Sequence, residues 1–362
     1  MIELQRAQPK HSQERDALPS ASVITVNTNE KHRLEVYLPS AFASRGNFEI
    51  IISDNGSTDG SLEWLEQEFP DACVLRNGKN IGFAAANNRA AEIANNEILV
   101  FVNPDTSVHP DWLYHLLQPF KDARVGLTTS KVLLMSNPEK INACGNTIHV
   151  SGLTLCRGMG RSKELYSAGD EVDAISGAAF AMRREVFEVL GGFDEDFFIY
   201  MEETDLSLRA RLAGWKCVYV PQSVILHDYN LRFGPNKVHY QERNRYLMLL
   251  KNLKWRSLLV LLPAFLLAEV VTWGFVLLGD RQHWKNKFCA YRWIAVNWQD
   301  VMRKRKATQK LRKVSDRELL KNAGVRLDFG QVARGGIAYL ADGIFTPLFF
   351  IVKRMMRAVV WW

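Results

Sequence analysis

The chain has 362 residues, of which 47% are hydrophobic and 23% are charged, a composition that excludes a disordered protein and allows a sizeable buried core. Its net charge of +7 is only mildly basic, so the position of the charge matters more than its sum. The five cysteines are scattered without a C-x-x-C pair, which argues against a zinc site or a disulfide framework and for a reducing compartment. Residues 1–20 contain no apolar segment, so we expect a flexible polar lead-in rather than a signal peptide.

Strand and helix patterns alternate between residues 21 and 102. Apolar runs predict strands at Ser22–Val26, Glu49–Ser53, Cys73–Leu75 and Glu97–Val102. Helical spacing predicts helices at Lys31–Ala43, from Ser61 onward and around Ala84–Ala94. The alternation predicts an α/β fold with a mostly parallel central sheet and flanking helices. The last of these strands shows no period-two alternation, so we expect it to be covered on both faces.

The pattern is more mixed between residues 125 and 240 and changes again beyond them. Strands are predicted at Val125–Leu134, Ala178–Met182, Lys216–Val220 and Val224–Leu226, and helices at Arg184–Leu190 and from about Thr204. Ser257–Gly279 is almost entirely apolar, and a basic run and a second apolar stretch follow it. These changes predict three parts: the lead-in 1–20, a compact α/β domain 21–240, and a helical, basic and hydrophobic region 241–362.

Polar segments follow three of the predicted strands. They are Asn27–Asn29, Asp54–Gly60 and Asn103–Asp105. Because the carboxyl ends of parallel strands share one edge of a doubly wound sheet, we expect Asp54 and Asp105 to face a common pocket. Each segment alone is more often a simple turn, but three on one edge favour a nucleotide-type site.

The chain has neither a G-x-G-x-x-G sequence after its first strand nor a Walker loop, so the phosphates of a nucleotide would lack a glycine cradle. A divalent cation on Asp105 is the expected substitute, since carboxylate and diphosphate oxygens suit Mg²⁺ or Mn²⁺. His227 ends an apolar strand and is either a second metal ligand or a structural histidine.

Glu202, Glu203 and Asp205 form an acidic cluster at a predicted helix start. Acids favour that end of the helix dipole, and Asp205 has the i,i+4 spacing of an ion pair with Arg209, so a structural explanation exists. The preceding segment FFIYM would half-bury the acids, and burial raises the pKa of a carboxyl toward that of a general base. We therefore expect the base to be Glu203, with Glu202 and Asp205 as alternatives.

The order of these motifs resembles the family 2 glycosyltransferases with the GT-A fold, particularly their bacterial rhamnosyltransferase-like branch. The resemblance spans roughly residues 22–240. It rests on VNTN (Val26–Asn29), DNGSTDGS (Asp54–Ser61), NIGFAAANN (Asn80–Asn88), NPDT (Asn103–Thr106), SGAAFAMRRE (Ser176–Glu185), GGFDEDFFIYMEETDLSLR (Gly191–Arg209) and His227. It implies an inverting, metal-dependent transfer of a sugar from a nucleotide-diphosphate donor.

The resemblance also implies roles for individual residues. Asp54 would hydrogen-bond the nucleotide base, Asp105 would hold Mg²⁺ or Mn²⁺ on the diphosphate, and His227 would add a ligand to the metal or to the diphosphate. Glu203 would take the proton of the acceptor hydroxyl. The remaining nucleotide-sugar-binding residues implied by the matched motifs are Val26, Asn27, Asn29, Asn80, Gly82, Asn87 and Asn103.

Leu258–Leu278 is long enough to span a bilayer and carries one charge, Glu269. Basic residues lie on both of its flanks, which opposes a single span, so we expect a helix or hairpin embedded in the cytoplasmic leaflet. A buried core helix or a homodimer interface is the alternative. The basic tail contains no base-reading motif, so nucleic acid is not an expected partner.

Together these features predict a peripheral or monotopic enzyme at the cytoplasmic face of the cell membrane. It would move a sugar, L-rhamnose by the resemblance, onto a lipid-linked or cell-surface glycan acceptor. The alternatives are a sugar nucleotidyltransferase, which would release pyrophosphate, and a non-catalytic membrane-bound protein that binds a sugar nucleotide.

Overall fold

The computed structural model describes residues 18–229, 235–279, 281–327 and 336–362. The strands within them are β1 (Ala21–Asn27), β2 (Phe48–Asp54), β3 (Cys73–Arg76), β4 (Ile98–Val102), β5 (Thr106–Val108), β6 (Val125–Leu134), β7 (Asn137–Ala143), β8 (Asn146–Ile148), β9 (Thr154–Cys156), β10 (Asp170–Glu171), β11 (Ala179–Arg183) and β12 (Lys216–His227). The α-helices are α1 (Lys31–Phe42), α2 (Ser61–Glu68), α3 (Phe83–Ile93), α4 (Trp112–Leu117), α5 (Arg184–Leu190), α6 (Glu202–Leu212), α7 (Pro235–Asn252), α8 (Trp255–Gly279), α9 (Trp284–Val296), α10 (Trp298–Lys310), α11 (Asp316–Leu319) and α12 (Gly336–Val359).

A mixed sheet forms the centre of the fold. Its main path runs β10-β12-β6-β11-β4-β1-β2-β3, with β5 paired to β12 and β7 paired to β6. The strands β3, β2, β1 and β4 are parallel, as are β6 and β12, while β11 runs antiparallel between β4 and β6. The α/β fold with a central sheet and flanking helices is therefore confirmed, and the inserted β11 makes the sheet more mixed than the alternating pattern predicts.

Both faces of the sheet are covered, which explains the uninterrupted apolar strands. In β4, Val100 and Val102 pack into a core with α1 and α4, whereas Leu99 and Phe101 pack into a second core with α3 and α5. Each residue of β4 is thus buried by one side or the other. Complete burial of a side chain of this size stabilises the fold by about 1.5–3 kcal/mol, so a run of five such residues specifies a central position.

A third core joins the C-terminal helices to the α/β part of the chain. Phe197 and Leu208, which flank the start of α6, pack in the same cluster as Leu247 of α7, Leu261 of α8 and Phe349 of α12. The predicted boundary at residue 240 falls inside α7, so this helix belongs to both predicted regions. Of the predicted lead-in, residues 1–17 lie outside the described residues.

Several elements differ from the sequence-based expectations. α6 begins at Glu202 rather than near Thr204, because the preceding residues already turn the chain. The two predicted strands after Lys216 form one strand, β12, with a shift of register between Val220 and Val224. β7, β8, β9 and β10 have no sequence prediction because they are short, irregular and partly polar.

Candidate active site

The NPDT turn and the end of β12 bring Asp105 and His227 together. Asp105 follows β4, and its side chain is 16% exposed. Its carbonyl oxygen accepts a hydrogen bond from the Asp228 backbone N–H at 2.9 Å. In the β5–β12 pair, His227 stands opposite Thr106. Two segments more than a hundred residues apart are therefore held side by side by backbone pairing.

The His227 ring is oriented by a second residue. Its Nδ1 lies 2.8 Å from Asn142 Oδ1, and its Nε2 lies 3.2 Å from Asp105 Oδ1. An amide oxygen accepts the Nδ1 proton, so Nε2 of the neutral ring carries a lone pair directed at a carboxylate. Asp105 Oδ1 is buried and finds no hydrogen-bond partner among the described residues. Two electron pairs facing each other require a proton or a cation between them.

These two atoms fit a divalent cation. Two ligands at about 2.1 Å from one ion and at right angles to each other lie roughly 3.0 Å apart, close to the observed separation. A histidine whose other ring nitrogen donates to a carbonyl oxygen, as here to Asn142, is the usual form of a metal-bound imidazole. The described residues contain no cluster of three or more His, Cys, Asp and Glu side chains arranged for a metal. Asp105 and His227 would therefore share the ion with ligands that are not protein side chains, such as phosphate oxygens.

Charges around Asp105 keep it ionised. Burial raises the pKa of its carboxyl. The contact with His227 and the charge of the Arg33 guanidinium lower the pKa by more than burial raises it, so the net pKa lies below its usual value. Arg33 Nη1 lies 3.7 Å from Asp105 Oδ2. An anionic Asp105 is the form that a cation requires.

The turns after β1 and β2 are locked to each other by side chains. Asn27 donates from Nδ2 to Asp54 Oδ1 at 2.8 Å, while Asp54 Oδ2 accepts from the backbone N–H groups of Gly56 and Ser57, each at 3.0 Å. Asn29 adopts φ +56° and accepts from the Thr58 N–H at 2.7 Å. Asp54 is 1% exposed. Its oxygens thus shape the loop, and the predicted contact with a nucleotide base stays a prediction.

Three further predicted binding residues organise the start of α3. Asn80 Oδ1 accepts from the Gly82 N–H at 2.9 Å, and Asn87 donates from Nδ2 to the Phe83 carbonyl at 2.9 Å. Gly82 has φ +88°, and a Cβ there would lie 2.5 Å from the Phe198 ring. The Phe83 N–H also donates to the Phe198 carbonyl at 2.6 Å. The loop before α6 therefore sits directly against the N-terminus of α3, and only glycine fits between them.

Two other predicted binding residues lie at strand ends. Val26, near the end of β1, is 8% exposed and offers mainly its backbone. The Asn103 N–H donates to the Ala178 carbonyl at 3.0 Å, which ties the NPDT turn to the residue before β11.

Glu203 lies close to that same strand end. A Cβ on Gly177 would come 3.5 Å from Glu203 Cγ, and Gly177 directly precedes the residue that pairs with Asn103. Glu203 Oε1 accepts from Asn146 Nδ2 at 3.3 Å and from Thr204 Oγ1 at 3.2 Å. The predicted base is thereby brought to the edge that carries the NPDT turn.

Burial acts on both glutamates of the pair. Removal from water raises the pKa of Glu203, and it raises the pKa of Glu202 still more strongly, with the Glu203 charge adding to the effect. Glu202 is 6% exposed, and its Oε2 lacks a hydrogen-bond partner in the part of the chain that the structure describes. The environment therefore favours a protonated Glu202 beside a Glu203 that ionises first.

Asp205 has different surroundings. Its side chain is fully buried, and Oδ2 pairs with Arg209 Nε at 2.8 Å and with Lys251 Nζ at 3.0 Å. Asn252 donates to Oδ1 at 2.9 Å. Burial raises the pKa of this carboxyl, but Lys251 and Arg209 outweigh that effect and lower it. Such a carboxylate is an ion-pair partner rather than a proton acceptor.

The loop before Glu202 is unusual in its backbone. Phe198, Tyr200 and Met201 all have φ between +60° and +71°, a region that costs about 1–3 kcal/mol for each residue with a side chain. Asn244 of α7 is fully buried and donates from Nδ2 to the carbonyls of Phe197, Ile199 and Tyr200 at 2.7–3.0 Å. Arg243 adds a hydrogen bond to Phe197 at 3.0 Å.

Three site residues carry no sequence prediction. Asn142 and Asn146 lie in the unpredicted segment from β7 to β8, and Asn244 lies in the helical region assigned to the membrane. Asparagine and arginine inside the otherwise apolar stretches INACGN and ERNRYLMLL were the available signal, because buried polar side chains need partners.

The chain is similar to known proteins in sequence and in fold. The profile of the family described as glycosyl transferase family 2 matches residues 22–191. N-acetylglucosaminyl-diphospho-decaprenol L-rhamnosyltransferase of Mycobacterium tuberculosis is 30% identical over 246 residues, which cover 59% of this chain and 76% of the relative.

Solved structures with low identity show the same fold. GalNAc-T7 with UDP, GalNAc and Mn²⁺ superposes with a TM-score of 0.55 at 21% identity, covering 65% of this chain and 48% of its own, so the match spans about half of that protein. The mannosyltransferase PcManGT from Pyrobaculum calidifontis, in complex with GDP-Man and Mn²⁺, has a TM-score of 0.50 at 16% identity and covers 94% of this chain and 87% of its own. With its motifs in place on this fold, the chain belongs to the family 2 glycosyltransferases.

Proposed function

We propose that the protein transfers L-rhamnose from a nucleotide-diphosphate donor to a lipid-linked acceptor with inversion at the anomeric carbon. The observation that carries the proposal is the meeting of a cation-ready pair, Asp105 and His227, with a buried carboxyl, Glu203, at one edge of the sheet. The sugar and the kind of acceptor are supported by the name of the mycobacterial relative, which is a rhamnosyltransferase acting on a decaprenol-linked diphosphosugar.

Asp105 and His227 would hold Mg²⁺ or Mn²⁺. When bound, the ion offsets the negative charge of the diphosphate and so makes it a better leaving group. Two transferases of related fold were solved with Mn²⁺ and a nucleotide, which supports a divalent ion here. The loops held by Asn27, Asp54 and Asn80 would then surround the nucleotide part of the donor.

Glu203 would act as the general base. Its ionised carboxylate accepts the proton of the acceptor hydroxyl while that oxygen forms its bond to the anomeric carbon. The bond from this carbon to the diphosphate oxygen breaks in the same displacement, and the nucleoside diphosphate leaves. Thr204 and Asn146 fix the carboxylate by donating to Oε1. Glu202 would remain protonated, and Asp205 would hold α6 against α7 through its ion pairs.

A membrane location is part of the proposal. A lipid-linked acceptor confines the reaction to a bilayer surface, and nucleotide sugars are made in the cytoplasm, so the reaction would take place at the cytoplasmic face. One helix among the described residues, over Trp255–Leu277, is long and apolar enough to cross a membrane, by length and composition alone.

The test is a donor screen with a matched variant. Purified protein is incubated with Mn²⁺ or Mg²⁺, a panel of sugar nucleotides and a membrane lipid extract, and the released nucleoside diphosphate is measured. We expect release with one donor and a loss of at least roughly 100-fold in Asp105→Asn, which removes the negative charge of a metal ligand. Asp111→Asn is the control, because Asp111 is a partly exposed acid that pairs with Arg45 and not with His227.

Two results would contradict the proposal. Release of pyrophosphate instead of nucleoside diphosphate would indicate nucleotidyl transfer. Full turnover in Asp105→Asn would show that catalysis does not depend on an ion bound at Asp105.

A further inference from the structure

α8 and α12 pack together along one side of each helix. The buried apolar residues of the two helices all belong to the third core, and they are Leu261, Ala264, Phe265 and Ala268 of α8 and Phe349, Val352, Met356 and Val360 of α12. Trp362, beyond the end of α12, donates from Nε1 to Ser257 Oγ in the first turn of α8 at 2.9 Å. The two helices therefore form one unit whose inner side is closed.

Each helix also carries a line of exposed apolar side chains. These two lines, which together we call the apolar face, are Trp255, Leu259, Leu262, Leu266 and Val270 of α8 and Ile344, Leu348, Ile351, Met355 and Val359 of α12. Their spacing of three or four residues places each set along one line of its helix. Leu259 is 71% exposed and Val270 is 62% exposed. Exposed apolar lines of this length on two packed helices mark a site that another surface covers.

The one acid of α8 points the other way. Glu269 contacts Arg245 and Tyr246 of α7 and Tyr291 of α9, and its Oε2 lies 3.0 Å from Lys287 Nζ. A helix that crossed the bilayer would have to leave these cations and carry the carboxylate into hydrocarbon. The inner side of α8 is thus tied to protein, and only the apolar face is left for lipid.

The net charge of residues 241–362 indicates what kind of surface covers the apolar face. Residues 241–362 contain 23 Lys and Arg against 8 Asp and Glu, a net charge of +15, whereas residues 1–240 contain 23 against 31, a net charge of −8. On α12, an open surface cavity of about 490 Å³ is lined by Phe350, Lys353, Arg354, Arg357 and Ala358. Cations beside an apolar face match the phosphates and acyl chains of an anionic bilayer.

A second copy of this chain matches less well. Two apolar faces in contact would bring two strongly positive regions together, and like charges repel. The charge therefore favours lipid over self-association as the surface that covers these helices.

We propose that the apolar face is a membrane-docking surface that lies within one leaflet of an anionic bilayer, with the cationic cavity of α12 receiving lipid phosphates. This docking rests on the proposed function, because a lipid-linked acceptor would require the enzyme to sit at a membrane. The chain would be attached along two helices in the plane of the membrane and not by a transmembrane span.

Vesicle flotation of the full-length protein tests the docking surface. We expect the wild type to float with vesicles of phosphatidylcholine and phosphatidylglycerol, and Leu266→Glu/Val270→Glu to bind at least roughly tenfold more weakly. Val189→Glu is the matched control, because Val189 is an exposed valine of α5 at 56% exposure, away from this face. Arg354→Gln/Arg357→Gln should bind anionic vesicles roughly 30-fold more weakly, with little change on pure phosphatidylcholine.

The orientation has its own test. Arg256→Cys and Lys285→Cys, at exposed polar positions near the two ends of α8, are made separately in a chain whose exposed Cys73 and Cys289 are replaced by Ser. A membrane-impermeant maleimide should label both positions from the same side of sealed vesicles. Labelling from opposite sides shows a span and overturns the proposal.

Two other results overturn it. One is unchanged flotation of Leu266→Glu/Val270→Glu. The other is a dimer in vesicle-free solution that this variant dissociates, which assigns the face to a second copy. Failure of the proposed function is separable, because it would show as absent nucleoside diphosphate release in a wild type that still floats.

Discussion

Glu202 and Glu203 are neighbouring carboxylic acids with different expected protonation states, and the difference favours Glu203 as the proposed base. Burial raises the pKa of Glu203 above its ordinary value of 4.5, so the ionised form that accepts a proton accumulates only as the pH rises past that raised value. We expect the acid limb of the kcat/KM profile to lie above pH 4.5. Glu203→Gln should lower kcat roughly 10²- to 10⁴-fold and leave donor binding intact.

Glu202→Gln is the control for this assignment. A glutamine resembles a protonated glutamate, so kcat should stay within about threefold of wild type, and the acid limb should not move. Inactivity of Glu202→Gln together with an active Glu203→Gln would exchange the two roles. pH–rate profiles of both variants and of the wild type make the measurement.

The loop between the 3₁₀ turn Glu195–Phe197 and α6 determines where α6, and with it Glu203, begins. Its three left-handed residues are costly, and Asn244 of α7 offsets part of that cost by donating its two amide protons to three carbonyls. Asn244→Asp keeps the shape but faces those carbonyls with an anion. We expect kcat to fall about 10- to 100-fold, because the loop leads directly into α6 and the proposed base Glu203. Donor KM should change less, because the loop packs against Gly82 but supplies none of the predicted nucleotide-binding residues.

A structural defect alone would look different. Loss of fold lowers the amount of active enzyme and leaves the pH profile in place, whereas a displaced Glu203 also shifts the acid limb. Asn297→Ala is the matched control, because the Asn297 side chain donates to the Trp293 carbonyl of its own helical region and not to a carbonyl of this loop. An unshifted profile in Asn244→Asp would show that this residue does not position the base.

The elements differ in how far the sequence predicts them. β4, β6 and α5 follow the predicted bounds within a residue, because their apolar runs and helical spacing are decided locally. The meeting of His227 with Asp105 was open from the sequence, since it depends on the pairing of β5 with β12. Asn142 and Asn244 could not be assigned, because their partners are more than forty residues away.

At the scale of the whole molecule, a buried ion network joins the α/β part to the C-terminal helices. Lys251 of α7 pairs with Asp205 of α6 and with Asp194, and Lys304 of α10 contacts Asp194 as well. Lys251→Met leaves buried carboxylates with fewer cations. We expect a loss of about 3–5 kcal/mol in the free energy of unfolding, measured by urea denaturation in mild detergent at pH 7.

The pH dependence of this loss has a definite sign. Although burial raises the pKa of Asp194, Lys251 and Lys304 lower it well below its ordinary value of 3.8. A lowered pKa contributes stability above 3.8 that disappears as the pH falls toward the folded-state value, so the difference between variant and wild type should narrow below pH 3.8. Lys321→Met, at an exposed pair with Glu318, should change stability by less than about 1 kcal/mol at any pH. Equal losses in both variants would contradict a role for burial.

Two neighbouring residues of α7 contact two different parts of the molecule. Asn244 holds the loop that precedes Glu202, and Arg245 contacts Glu269 on the inner side of α8. In the proposed attachment of α8 to the bilayer surface, the single helix α7 would set the height of the proposed base above the lipid. The acceptor hydroxyl must reach that height from its own anchor in the membrane. The enzyme would therefore select acceptors by the distance between their lipid anchor and the reacting hydroxyl, as well as by the sugar they carry.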